Sequence, residues 1–189
     1  MNDAFLLDEC RSLRIIGIDP GTAHIGLSVS ETTDKGLCVL DAYTVHTELL
    51  VRRHYENLAE RVDDRYALIR AGVDAIMTYI RVWGGDMIAY ESPYLGKHAQ
   101  AFGSGVEIMT LVRESIIQES QFLPFYTLDP ARVKTAVGVS GKSGDKDKVL
   151  KGIMKSPFLT FDILLTGLDE HAIDSIAVGL AVYRNRVKL

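Results

Sequence analysis

Asp19 ends the apolar run Leu13, Ile15, Ile16 and Ile18 and is followed at once by Pro20-Gly21-Thr22. Glu91 closes the run from Met87 to Tyr90 and precedes Ser92-Pro93, while His171 and Asp174 stand three apart at the start of an apolar stretch. An Asp before Pro-Gly, taken alone, does no more than begin a turn. Asp174 is harder to explain that way, because a carboxylate within Ala172-Ile173-Asp174-Ser175-Ile176 is costly to bury without a partner. Three carboxylates and an imidazole gathered at one sheet edge suit hard divalent cations, which take oxygen ligands and keep part of their water shell. Two such ions about 4 Å apart can activate a water on one side of a phosphodiester and stabilise the departing 3′ oxygen on the other.

The elements that must bring these residues together are readable from periodicity. Leu13 to Ile18 reads as a strand, Pro20-Gly21-Thr22 as a tight turn and Ile25 to Val29 as its antiparallel partner, with a third, less regular strand from Leu37 to Thr44. From Val51 to Val82 apolar residues step by three and four, the mark of an amphipathic helix or a broken pair, ended by Gly84-Gly85. Met87 to Tyr90 is a short buried strand, Ala99 to Glu119 a helix and Phe122 to Leu128 a fifth strand, with the last helices at Lys146 to Lys155 and Glu170 to Asn185. Small residues Ala101, Gly103 and Gly105 near the start of the second long helix allow another backbone to come close. This order predicts an α/β fold in which a mixed five-stranded sheet is flanked by helices. Asp19 and Glu91 then end neighbouring strands, and His171 and Asp174 share a face of the last helix's first turn. Asp169 and Glu170 fit the acidic chemistry of a helix start.

At 189 residues the chain accommodates one ordinary domain, spanning 1–189 with a leader over 1–12. Its 47% apolar content fits a folded protein. No window approaches the roughly 18 apolar residues of a membrane helix, and the N-terminal segment lacks the basic start and long apolar centre of a signal peptide. A cytoplasmic address without membrane association is the expectation. Cys10 and Cys38 lack redox or zinc spacing and read as reduced thiols. The net charge of −4 speaks mildly against a nucleic-acid partner, yet Ala131–Lys155 holds seven basic residues against two acidic ones, +5 locally and −9 for the rest. Gly138, Gly141 and Gly144 around that run predict a flexible basic loop.

These motifs resemble the RuvC family of Holliday junction resolvases, which have the ribonuclease-H-like fold, over about Arg14 to Tyr183. Ile16-Gly17-Ile18-Asp19-Pro20-Gly21-Thr22 is similar to the family's first acidic motif, Ile88-Ala89-Tyr90-Glu91 to its second and His171-Ala172-Ile173-Asp174 to its C-terminal motif. Arg70-Ala71-Gly72-Val73 is similar to a stretch of its first long helix, and Ala131 to Gly138 followed by Lys146 to its phosphate-binding basic segment. The resemblance implies a structure-selective DNA endonuclease of bacterial or bacteriophage type, active in recombination and repair, that nicks four-way and other branched DNA. It implies Asp19, Glu91 and Asp174 as catalytic metal-binding carboxylates, with His171 a fourth ligand or the group that positions the nucleophilic water. The cofactor would be two Mg2+ ions per site, with Mn2+ as a substitute. Lys134 and Lys146 would contact phosphates near the scissile bond, within a DNA-binding set that includes Arg132, Lys142 and Lys148. Tyr94 would stack on bases at the junction centre. The partners implied are branched DNA in the nucleoid and a second copy of the chain, meeting through the Ala99 to Glu119 helix, because a four-way junction needs two opposed cuts.

Three rival readings carry observations of their own. Ala136 to Ser143 is close to a Walker A loop, but it does not follow a buried strand, and Gly144-Asp145 delay the next helix. The segment Asp19 to Ser30 also looks like the first motif of a ribosomal-RNA-maturation nuclease of the same superfamily, against which the long helices speak. A non-catalytic junction-binding protein would not need all four candidate site residues.

Overall fold

The computed structural model describes residues 12–95, 99–119, 122–139 and 146–187. The leader with Cys10, and Lys142 with the remainder of the glycine-rich loop, lie outside the described residues. At the centre is strand β1 (Arg14–Asp19), antiparallel to β2 (His24–Thr33) and parallel to β4 (Met87–Glu91). Strand β3 (Gly36–His46) pairs antiparallel with β2, and β5 (Phe125–Leu128) runs parallel to β4. A sixth strand, β6 (Leu159–Phe161), lies parallel to β3, giving the order β5-β4-β1-β2-β3-β6.

Central strands covered on both faces read as nearly unbroken apolar runs. Ile15 packs into the layer that includes the last helix, whereas Ile16 and Ile18 point into the opposite layer with the first long helix. That long helix, α3 (Asp64–Trp83), is capped by Asp63, whose carboxylate accepts from the Tyr66 amide at 2.6 Å, and it ends on Gly84 in the left-handed conformation, φ 61°. Before it come the short helix α1 (Thr47–Leu50), a π-type turn over Val51–Tyr55 and α2 (Glu56–Arg61), so the periodic stretch from Val51 is the broken form of the two expected. Helix α4 (Ala99–Gln118) packs on α3 through Ile108, Val112 and Ile116.

Four sequence expectations need correction. The sheet has six strands, not five; β6 is three residues long, too short to show alternation. The fifth strand begins at Phe125, leaving Phe122 exposed. The basic stretch begins with a helix that the sequence reading left out: α5 (Pro130–Ala136) is capped, its Asp129 accepting from the Arg132 amide at 3.0 Å with Pro130 in the first turn, whereas α6 (Lys146–Lys155) lies where it was expected. The glycines hid those start signals. The last helix, α7 (Glu170–Val182), gives way to a π-type turn at Tyr183–Val187, three residues before the expected end.

Candidate active site

Ile18 and Tyr90 are partners in the parallel β1–β4 ladder, so Asp19 and Glu91 follow side by side at the same end of adjacent strands. Neighbouring strands lie about 4.8 Å apart, and both carboxylates project to the side on which Gly17 and Ala89 meet α7. The sequence makes that side accessible. A methyl group on Gly17 would collide with the Ser175 carbonyl oxygen and lie 2.6 Å from Ser28 Oγ, and one on Gly26 would collide with the His171 carbonyl oxygen. Two glycines therefore let the α7 backbone rest directly on β1 and β2. The helix start is held by Asp169, whose carboxylate accepts from the Ala172 amide at 3.1 Å and from the Thr44 hydroxyl. The turn after Asp19 is pinned from β3's end, where the buried Thr47 hydroxyl donates to the Thr22 carbonyl at 2.5 Å and the Thr47 amide to that of Ala23 at 3.0 Å.

His171 Nδ1 lies 2.9 Å from Asp19 Oδ2. Its ring stacks on that of His24, centroids 5.4 Å apart and planes 15° apart, and His24 meets His46 edge-on at 5.0 Å. Neither His24 nor His46 stands out in the sequence; they meet because β2 and β3 pair them in register, which only the strand pairing reveals. Tyr90, immediately before Glu91, is fully buried, its hydroxyl without a hydrogen-bond partner among the described residues.

The acids share one electrostatic field. Burial, then the charges of Asp19 and Asp174, push the Glu91 carboxyl up to about 8, partly offset by Lys134. Burial and then Asp19 raise Asp174 to about 6. Burial also raises Asp19, outweighing its bond to His171, and that bond in turn raises the imidazole above its ordinary value. Carboxyls that resist ionisation together are what a bound dication relieves. Among the described residues no three His, Cys, Asp or Glu side chains form a finished cage for an ion. The donor set nonetheless fits Mg2+, which is ordinarily held by one or two carboxylates with waters and substrate phosphates rather than by an all-protein cage.

The cationic residues expected from the sequence are spread over separate elements. Lys134 on α5 lies within the field of Glu91 and Asp174. Arg132 is exposed and pairs with Asp129, Nε to Oδ2 3.2 Å. Lys146 opens α6 and Lys148 is exposed on its first turn. Tyr94, beyond β4, is 74% exposed beside Leu95. A methyl group added at Gly105 of α4 would lie 3.2 Å from the Pro93 ring.

A family model described as crossover junction endodeoxyribonuclease RuvC matches residues 15–182. The chain belongs to the RuvC family. The RuvC of Synechococcus sp. (strain WH7803) is 29% identical over 178 residues, 92% of this chain and all of that protein. Prochlorococcus marinus (strain MIT 9303) RuvC is 26% identical over the same shares. Among solved structures, T. thermophilus RuvC in complex with Holliday junction substrate aligns with a TM-score of 0.68 at 19% identity, covering 93% of this chain and 96% of that one. These likenesses place the six-stranded sheet in the RuvC resolvase fold, and the activity class of the RuvC family is that of a crossover junction endodeoxyribonuclease. That match sets aside the RNA-maturation and Walker A readings. Among the described residues no helix is long and apolar enough to cross a membrane.

Proposed function

We propose that this RuvC-family chain resolves four-way DNA junctions, and nicks other branched DNA, as a homodimer in the cytoplasm, by hydrolysis of a phosphodiester at the Asp19, Glu91, Asp174 and His171 cluster. The observation that carries this reading is the side-by-side placement of Asp19 and Glu91 at one sheet end with His171 of α7 bonded to Asp19. Asp19, Glu91 and Asp174 are the residues that would hold two Mg2+ ions, or Mn2+ in their place, and these when bound supply water activation and stabilisation of the leaving 3′ oxygen. With Nδ1 engaged by Asp19, His171 presents Nε2 as the atom that can orient a water or hold its proton. Lys134 sets a positive charge beside the acids, where a phosphate must enter against their negative field. Arg132 and Lys148 add exposed positive charge, Lys142 and Lys146 are the further phosphate contacts that the family likeness implies, and Tyr94, exposed three residues past Glu91, offers a ring for an unstacked base. Two opposed cuts on a two-fold junction require two copies, for which α4 leaves Ile117 exposed.

The test is a titration of Mg2+ and Mn2+ against synthetic four-way, three-way and linear DNA with product mapping on both strands. Paired symmetric nicks on the four-way substrate, dependent on added cation, are expected. Junction binding without nicking under every cation would favour a non-catalytic junction-binding protein.

A further inference from the structure

A cavity of about 650 Å3 lies between the end of α5, the face of α6, the turn leading into β6 and Arg184 beyond α7. Lys148, Lys151 and Lys155 recur at three- and four-residue steps on α6, so they share one face, and with Arg184 they put four cations and, among the described residues, no acid on the cavity wall. In a chain of net charge −4 that is a strong local excess. The Arg184 guanidinium is already fixed: one nitrogen donates to the Ala136 carbonyl at 2.5 Å, and the group lies 5.3 Å from the Phe158 ring centroid. A guanidinium held in this way keeps further donors and loses little freedom when it grips an oxyanion. Val137, Val139 and Phe158 supply an apolar wall, which strengthens charge interactions by excluding water. Gly152 makes the geometry possible, since a methyl group there would strike the Val137 carbonyl and lever α6 away from α5.

We propose that this cavity binds phosphate groups at a site separate from the acidic cluster. Helix α5 links the two, with Lys134 in the field of the acids and Ala136 and Val137 at the cavity. The phosphates come either from the DNA strand continuing past the cut or from a free polyphosphate. The first source rests on the resolvase reading, and the second does not.

The experiment compares the parent with Lys151→Ala/Lys155→Ala, with Lys151→Gln/Lys155→Gln and with Lys35→Ala, which removes an exposed lysine on the β2–β3 turn. Both α6 lysines are exposed, and the glutamine pair keeps helix propensity should alanine disturb folding. Junction affinity is measured in EDTA across a salt series, so that cleavage does not enter, and melting is followed with and without tripolyphosphate. If the strand fills the cavity, both double variants lower the salt slope by about 1–2, the amount for one or two lost phosphate contacts, while Lys35→Ala leaves it alone. A parental slope with loss of a tripolyphosphate-induced rise in melting temperature assigns the cavity to a free polyphosphate. Parental behaviour in both measurements overturns the proposal. A parent chain that neither binds nor cuts junctions defeats the resolvase reading instead, and the tripolyphosphate arm still decides the cavity.

Discussion

His171 Nδ1 and Asp19 Oδ2 are 2.9 Å apart although 152 residues separate them in the chain, so the first strand and the last helix meet at one polar contact. The contact ties the imidazole's orientation to the carboxylate that burial makes reluctant to ionise. Asp19→Asn keeps an oxygen able to accept from the imidazole and removes the charge. Nicking is expected to fall by at least about 10³-fold, as when one member of a set acting together is lost, with junction binding in EDTA retained and the melting temperature raised. Nicking at the parental rate would remove Asp19 from the machinery.

Stability of the metal-free protein follows the same charges. Glu91, raised from 4.5 to about 8, and Asp174, raised from 3.8 to about 6, retain protons in the fold that the unfolded chain has released. Their contribution is therefore fully present below about pH 4 and is lost as pH rises through 6 and then 8. His171, also raised, loses its contribution in the same direction. In EDTA the melting temperature should fall between about pH 6 and pH 8.5, and Mg2+ or Mn2+ should restore more of it at the higher pH, where protons compete less for the carboxylates. A flat profile in EDTA would mean that the acids do not share a field.

The sequence exposed this site unevenly. Asp19 and Glu91 were legible because each ends an apolar run bounded by turn residues, and parallel pairing of those strands was the one assumption needed to set them side by side. His171 and Asp174 were legible from their spacing. His24 was not, because a ring at the start of β2 gains its meaning from α7 lying over it, which the glycines at 17 and 26 permit by leaving no side chain in the way. The capped helix α5 was obscured for the opposite reason: its start signals, Asp129 and Pro130, were present, but the glycines downstream outweighed them. Strand β6 carries three residues and depends on β3 for its existence.

Tyr94 is 74% exposed and its neighbour Leu95 62%, an arrangement that leaves apolar surface in water. Tyr94→Ala should leave the melting temperature unchanged and weaken four-way junction binding by about 1–3 kcal/mol, the contribution of one base–aromatic stack, with little effect on linear duplex. Gel-shift titrations on both substrates check this; equal losses on the two would make Tyr94 an ordinary surface residue.

Gly26 faces the His171 carbonyl so closely that a methyl group cannot fit unless backbone moves. Overpacking of this kind destabilises by about 1–3 kcal/mol or more, but its consequence for the site is more specific than its consequence for the fold. Displacing the first turn of α7 pulls His171 away from Asp19 and carries Asp174 with it, so Gly26→Ala should lower divalent-ion protection against heat and abolish nicking under conditions where circular dichroism still reports the parental helix content. Gly103→Ala is a control for stability of the single chain, outside any test of the pairing proposed through α4: its added methyl group meets nothing within 4 Å among the described residues, and it should gain about 0.5–1 kcal/mol from reduced backbone freedom in the unfolded chain. If Gly26→Ala lowered only the melting temperature and left cation protection and nicking at parental levels, the seating of α7 on β2 would not be what sets the geometry of the acids.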